Sequence, residues 1–87
     1  MSYNIVISKD AEKFLSKLNG KIYNSIVAKI LELAENPRPS GCTEVKPYAN
    51  TYRIRQGGYR IIYEVIDNEL YIEVLDIGSR GQIYDSY

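Results

Sequence analysis

The sequence predicts an α+β fold in one domain spanning residues 1–87: an N-terminal strand, an αα-hairpin, and a three-stranded antiparallel meander that forms one sheet packed on the helices. Apolar residues recur at helical spacing in the first half of the chain. The second half alternates like strands and is rich in Tyr, Ile and Val. A chain of 87 residues buries about 60% of its unfolded surface, which supports one modest core.

The first half predicts one strand and two helices. Tyr3 to Ile7 has the pattern of a short strand, and Ser8 is a favourable N-cap for the helix that follows. That helix is predicted to end at Asn19-Gly20, and its apolar stripe consists of Ala11, Phe14, Leu15 and Leu18. A second helix is predicted to start near Lys21. It ends at residues 36–41, because two prolines and a glycine cannot continue a helix.

Three strands are predicted after these helices, at Tyr52 to Gln56, Tyr59 to Ile66 and Leu70 to Ile77. Gly57-Gly58 predicts a two-residue hairpin turn, since such turns need positive φ and glycine adopts it without strain. Cross-strand partners share a face of a sheet. One face therefore receives a core set, Tyr52, Ile54, Ile61 and Tyr63, and the other receives Arg53, Arg55 and Arg60.

A second hairpin turn is predicted at Asp67-Asn68. Pairing about this turn places Val65 opposite Leu70, Tyr63 opposite Ile72 and Ile61 opposite Val74. The same register brings Ile77 beside Gly58. Arg80 is then expected at the same end of the sheet as Arg55 and Arg60.

The arginines of this hairpin form the candidate site. Arg55 and Arg60 are expected directly opposite each other, where like charges are destabilising. No acidic residue lies between Lys46 and Tyr63, so an anion from outside, phosphate above all, is the natural partner. Arginine suits planar, bidentate recognition of phosphate and neutralises charge that develops on a phosphoryl oxygen. The alternative is that the arginines only decorate a solvated sheet face.

Composition narrows the chemistry. Eleven Lys and Arg balance eleven Asp and Glu, and the pI of about 6.2 is low for a nucleic-acid-binding domain. A local positive field can exist within a neutral total. The chain has no histidine, which excludes Ser-His-Asp and Cys-His mechanisms. No metal-binding spacing or phosphate loop is present, so no metal or cofactor is predicted.

Cellular location is predicted from what the sequence lacks. Cys42 is the single cysteine, so no internal disulfide can form. No apolar run reaches the ~20 residues of a membrane helix, and the N-terminus lacks a signal-peptide pattern. We expect a cytoplasmic protein with no membrane partner.

Two strings of residues resemble the RelE branch of the RelE/ParE toxin superfamily: YRIRQGGYRIIYEVID and, after it, VLDIGSRGQIY. The resemblance covers nearly the whole chain. It implies a RelE-like, microbial-ribonuclease-like fold and a type II toxin that cleaves mRNA in the ribosomal A site. The implied chemistry is attack of a ribose 2′-hydroxyl on the adjacent phosphate, without a metal. The implied partners are the ribosome, mRNA and a RelB-like antitoxin from the same operon, in a toxin–antitoxin hetero-oligomer.

The resemblance also implies which residues act. The catalytic set is Arg53, Arg55, Arg60, Arg80 and Tyr84, in which Tyr84 matches a tyrosine implicated in proton transfer. The RNA-binding set is Lys46, Arg53, Arg55 and Arg60. Ser79 departs from the family pattern, because many relatives carry a basic or imidazole side chain there.

Two other functions stay open from the sequence. One is a ParE-like inhibitor that binds DNA gyrase and performs no chemistry, since one scaffold serves both activities. The other is an inactive or purely regulatory member that only binds an antitoxin and operator complex.

Overall fold

Two helices pack against one face of a five-stranded sheet in the computed structural model, which describes residues 2–79. The elements in chain order are β1 (Asn4–Ile7), α1 (Lys9–Ser16), α2 (Gly20–Glu35), β2 (Thr43–Glu44), β3 (Thr51–Gln56), β4 (Tyr59–Ile66) and β5 (Tyr71–Ser79). The strand order is β1-β5-β4-β3-β2. β1 runs parallel to β5, and the other neighbours are antiparallel. The predicted α+β fold is confirmed, and the short β2 is an addition to it.

Ser8 fixes the start of α1 through two hydrogen bonds. Its Oγ accepts a hydrogen bond from the Ala11 N–H at 3.1 Å, the expected N-cap interaction. The same hydroxyl donates to the Leu75 carbonyl at 2.7 Å, which ties the helix to β5. α1 ends at Ser16, earlier than predicted, because i→i−3 bonds such as Leu18 N–H to Leu15 O at 3.0 Å tighten its last turn.

The core lies between the helices and the sheet. Its fully or almost fully buried members come from α1, α2 and the three long strands: Ala11, Leu15, Ile26, Ile30, Leu33, Ile54, Ile61, Tyr63, Val65, Ile72, Val74 and Ile77. Leu18, beyond the end of α1, still packs against this cluster. In residues 2–79, no helix is both long and apolar enough to cross a membrane.

The predicted register of the β3–β4 hairpin is confirmed at every position. Arg55 pairs with Arg60 and Ile54 pairs with Ile61. Gly57 takes φ 62°, whereas Gly58 does not have a positive φ. One positive φ at the first turn position is typical of a type II′ turn, whose twist suits a hairpin.

The predicted register of the β4–β5 hairpin is wrong at the turn. The connection is a short 3₁₀ turn at Asp67–Glu69, followed by Leu70 with φ 54°, rather than a two-residue turn at Asp67-Asn68. Residues of β4 next to the turn therefore pair with residues of β5 that lie two positions later than predicted. Val65 pairs with Ile72 and not Leu70, and Tyr63 pairs with Val74. The exchange buries Ile72 completely and leaves Leu70 36% exposed.

A register shift farther along β5 changes the remaining pairs from the predicted ones. It falls between Ile62 and Tyr63 of β4, so that Ile61 pairs with Ile77 and not with Val74. One extra residue in a strand reverses the faces of those that follow, and this returns Ile77 to the core. Ile77 therefore does not lie beside Gly58. β5 still ends near the Gly57-Gly58 turn, because Ser79 pairs with Tyr59.

A cluster around Arg38 closes the other end of the sheet. Its guanidinium contacts the Asp67 carboxylate through two hydrogen bonds, at 2.7 and 3.2 Å. Its Nε donates to the Tyr52 hydroxyl at 2.8 Å, and the Tyr3 hydroxyl donates to Asp67 at 2.7 Å. The hydrogen bonds from Arg38 and then Tyr3 lower the pKa of Asp67. The cluster joins the N-terminus, the loop after α2, β3 and the β4–β5 turn.

Lowering the pH should weaken this cluster, because it protonates the Asp67 carboxylate. Because the pKa of Asp67 is lower in the folded protein than its ordinary value, its contribution to stability is present above the ordinary pKa. That contribution is lost as the pH falls through the folded pKa. The free energies of unfolding of the native protein and of Asp67→Asn, measured with urea, should differ at pH 7 and become equal in acid. Glu69→Gln, in the same turn, keeps the Arg38 contact and serves as control. A difference between native protein and Asp67→Asn that is constant with pH would contradict this account.

The two turn glycines make a matched pair for testing the hairpin. A Cβ at either position meets no atom within 4 Å, so any cost comes from the backbone. Gly57→Ala should lower the free energy of unfolding by about 1–2 kcal/mol, because left-handed backbone disfavours a Cβ. Gly58→Ala should leave it unchanged or raise it by up to ~1 kcal/mol. Equal losses measured by urea unfolding would mean that φ at Gly57 does not set the turn.

Candidate functional site

The sheet face away from the helices carries the predicted arginines of β3 and β4. Since Ile54 and Ile61 point into the core, strand alternation turns their neighbours outward. Arg55 lies directly opposite Arg60, as predicted. Arg53 lies two residues earlier on the same face, between Ile62 of β4 and Thr43 of β2.

The three arginines differ in exposure, which sequence reasoning did not predict. Arg55 is exposed, Arg53 is half-buried, and Arg60 is only 4% exposed. An incoming anion therefore meets Arg55 directly. The charge of Arg60 lies beneath the surface and attracts the anion from there, where electrostatic interactions are less screened than in water.

Acidic residues occupy the opposite end of the same face. Glu64 of β4 is the cross-strand partner of Glu73 of β5, so these two acids face each other and not the arginines. Glu64 is four residues from Arg60 along β4, about 13 Å at strand spacing, which exceeds the ~10 Å screening length at 0.1 M salt. A small apolar cluster lies between the two ends, formed by Val45, Ile62 and Leu75.

The structure does not bring Lys46 to this arginine pair. Lys46 follows Val45, whose N–H donates to the Thr51 carbonyl at 2.9 Å, and so lies near the start of β3. Thr51 is four residues from Arg55 along that strand, again about 13 Å. The predicted residues Arg80 and Tyr84 lie outside the described residues.

Two residues that sequence reasoning missed have defined positions. Arg38 anchors the cluster at the far end of the sheet, and its only local signal is that Pro37 and Pro39 restrict the loop around it. Asp76 lies at the register shift in β5, opposite Ile62. Burial raises its pKa, and the charge of Asp10 adds to this effect. In residues 2–79, no group of three or more Cys, Asp or Glu side chains is placed to hold a metal ion.

The fold is shared with a family of known proteins. The sequence profile of the family described as ParE toxin of type II toxin-antitoxin system, parDE, matches residues 5–84. The chain belongs to the RelE/ParE toxin family. It is thus a toxin of the type II toxin–antitoxin class, and its predicted resemblance to RelE toxins is confirmed by its relatives.

Among these relatives is a RelE-like toxin protein of Escherichia coli, 32% identical over 83 residues that cover 92% of this chain and 85% of that protein. The mRNA interferase toxin RelE of Escherichia coli strain K12 is 29% identical over 82 residues, with the same coverage. A similar solved structure is the archaeal RelE–RelB complex from Pyrococcus horikoshii OT3. It has a TM-score of 0.82 and 28% identity, and the match covers 94% of this chain and 99% of that one.

Proposed function

We propose that this toxin is a ribosome-dependent mRNA endonuclease that cleaves mRNA in the A site and so inhibits translation. The observation that carries the proposal is the direct cross-strand pairing of Arg55 with Arg60. Two like charges held opposite each other raise the energy of the unliganded sheet. A phosphate bound at the exposed Arg55 would weaken that repulsion and accept charge-assisted hydrogen bonds from Arg55, while Arg60 acts on it as a charge beneath the surface.

The proposed reaction needs no metal. The ribose 2′-hydroxyl attacks the adjacent phosphorus, the bond to the 5′-oxygen of the next nucleotide breaks, and a cyclic phosphate and a 5′-hydroxyl remain. Arg55 and Arg60 stabilise the negative charge that develops on the phosphoryl oxygens. Arg53 holds RNA on the same face, and Lys46 contacts RNA away from the reacting phosphate.

Proton transfer is assigned to Tyr84 on the family pattern, with Arg80 assisting it. A phenol with a pKa near ~10 is a weak base at neutral pH. Cationic neighbours favour its phenolate form, and Arg80 four residues earlier in the sequence is the proposed neighbour. Arginine itself stays charged at any relevant pH, so it acts as a stabilising charge and not as a base.

The relatives support the nuclease over the gyrase inhibitor. One of them, from Escherichia coli strain K12, is named an mRNA interferase toxin, and the solved Pyrococcus horikoshii structure is of a RelE–RelB complex. We extend both properties to this chain. Its antitoxin would be RelB-like and would oppose Arg53, Arg55 or Arg60 with acidic residues, in a cytoplasmic hetero-oligomer.

Replacement of Arg55 by Ala tests the site through two readouts on one protein. Ribosomal mRNA cleavage should fall about 10²- to 10³-fold, the usual loss when a charge-stabilising donor is removed. The free energy of unfolding should hold or rise by up to ~1 kcal/mol, because cross-strand repulsion disappears. Arg55 is the cleaner position, since Arg60 is buried and its truncation also removes packed atoms.

Arg55→Lys is the matched control, because it keeps the charge and the repulsion but loses the bidentate geometry. It should keep native stability and cleave at an intermediate rate. If Arg55→Ala instead melts lower and cleaves normally, the arginines serve only to cover the sheet with their stems. Native protein that inhibits gyrase supercoiling but leaves translated mRNA intact would establish the ParE-like function in place of the nuclease.

A further inference from the structure

β5 contains a bulge midway along its pairing with β4. Ile62 of β4 pairs with Asp76, whereas the next residue of β4 pairs with Val74, so Leu75 is one residue in excess. An extra residue reverses the faces of the strand beyond it. Without it, alternation from the buried Val74 would turn Ile77 out of the core. The bulge therefore sets which face of the sheet each later residue of β5 occupies.

The bulge lies where β5 loses its neighbour on the other side. β1 ends at Ile7, which pairs with Val74, and no other strand within residues 2–79 continues along that edge. Ser8 occupies the first positions beyond β1. Its N–H donates to the Val74 carbonyl at 2.9 Å, and its Oγ donates to the Leu75 carbonyl at 2.7 Å. Two carbonyls at the bulge are thus satisfied by the residue that caps α1.

Asp76 holds the other side of the bulge. Its Oδ1 accepts a hydrogen bond from the Ile77 N–H at 2.9 Å, a backbone donor on the open edge that β1 is too short to reach. In the part of the chain that the structure describes, the Asp76 carboxylate forms no ion pair. A hydrogen bond to an ionised carboxylate is shorter and stronger than one to a neutral acceptor. Asp76 therefore fixes the backbone directly after the extra residue.

This carboxylate lowers the stability of the protein. Burial raises the pKa of Asp76, the hydrogen bond from the Ile77 N–H partly opposes this effect, and the charge of Asp10 on α1 adds to it. Because the pKa is higher in the folded protein than its ordinary value, the ionised carboxylate destabilises the fold at neutral pH. The effect disappears as the pH falls below the ordinary pKa. An acid in such an environment is typical of functional sites.

The strand beyond the bulge belongs to the candidate site. Gly78 is the cross-strand partner of Arg60, and cross-strand partners share a face of the sheet. β5 ends at Ser79, and the next residue in the sequence is Arg80, which is proposed to assist Tyr84 in proton transfer. Loss of the bulge would turn Gly78 away from the arginine face. A misplacement of ~1 Å at a reacting group can cost ~10²-fold in rate.

We propose that Asp76 is a positioning residue of the nuclease, because it holds the bulge that aligns the end of β5 with Arg60. The inference rests on the proposed nuclease function and adds a residue that acts without touching the RNA. Asp76 acts through the Ile77 N–H. This hydrogen bond keeps Ile77 buried and Gly78 on the arginine face, and so it sets the face from which the chain continues toward the residues of proton transfer.

Cleavage kinetics on programmed ribosomes test this role. Asp76→Ala removes the acceptor and should lower kcat about 10- to 100-fold, the scale of a small misplacement at the reacting groups. KM should change little, since Arg53 and Arg55 hold the RNA from β3. Asp76→Asn keeps an acceptor oxygen at the same position and should recover most of the native kcat. It should also melt higher than the native protein at pH 7, because it removes the buried charge.

Amide hydrogen exchange provides a readout that needs no substrate. The Ile77 N–H should exchange slowly in the native protein and in Asp76→Asn, which both supply an acceptor, and faster in Asp76→Ala. Asp10→Ala is the matched control, because Asp10 lines the same cleft beside β5 from α1. It should keep the native kcat and the native exchange of the Ile77 N–H.

The possible outcomes separate this role from the nuclease function itself. A native kcat in Asp76→Ala, or a rise in KM alone, overturns the positioning role and leaves the nuclease function standing. The same holds if Asp76→Asn fails to recover the rate, or if Asp76→Ala melts below the assay temperature, which would make Asp76 a purely structural residue. Failure of the native toxin to cut any translated message overturns both.

Discussion

The register of the β3–β4 hairpin is the constraint on which the rest of the structure depends. A shift of one residue would turn β3 over relative to β4. Ile54 would then leave the core, and Arg55 would enter it. Burying that charge without a partner costs far more than the apolar burial gained. The core and the candidate site are therefore two outcomes of one pairing, fixed at the turn by the positive φ of Gly57.

The opposite end of the sheet is held by polar contacts rather than by a tight turn. Tyr63 is fully buried, and its hydroxyl donates to the Pro37 carbonyl at 2.7 Å. Its ring stacks on that of Tyr52, with centroids 5.8 Å apart. Arg38 lies over the Tyr52 ring at 5.3 Å while it binds Asp67. These contacts fix the start of β3, and so they also position the strand that carries Arg53 and Arg55.

Sequence reasoning succeeded where one local signal dominated. Gly57-Gly58 leaves few turn geometries, so every pair of the β3–β4 hairpin followed from it. Asp67-Asn68 is compatible with several turns, and the 3₁₀ turn that forms moved the predicted pairs by two residues. The later register shift was missed because simple alternation runs from Val74 to Asp76, and only the burial of Ile77, three residues after Val74, requires an extra residue in the strand. β2 is two exposed residues long, too short to alternate detectably.

The candidate site shows the same difference between features set by a local signal and features set by distant contacts. The pairing of Arg55 with Arg60 depends only on the turn and could be predicted. The burial of Arg60, the distance of Lys46 from the pair and the contacts of Arg38 depend on segments far apart in the chain. Such long-range contacts leave no periodic pattern in the sequence. The roles of the arginines and of Tyr84 remain predictions that only activity can test.

The central claim is that Arg55 and Arg60 act as one unit on a single phosphate. Single-turnover cleavage of an A-site mRNA by Arg55→Ala, Arg60→Ala and the double variant tests it most directly. Residues that act together give strongly non-additive losses. The double variant should therefore be little slower than the slower single variant. Losses that multiply, or a native rate in both single variants, would contradict a shared phosphate.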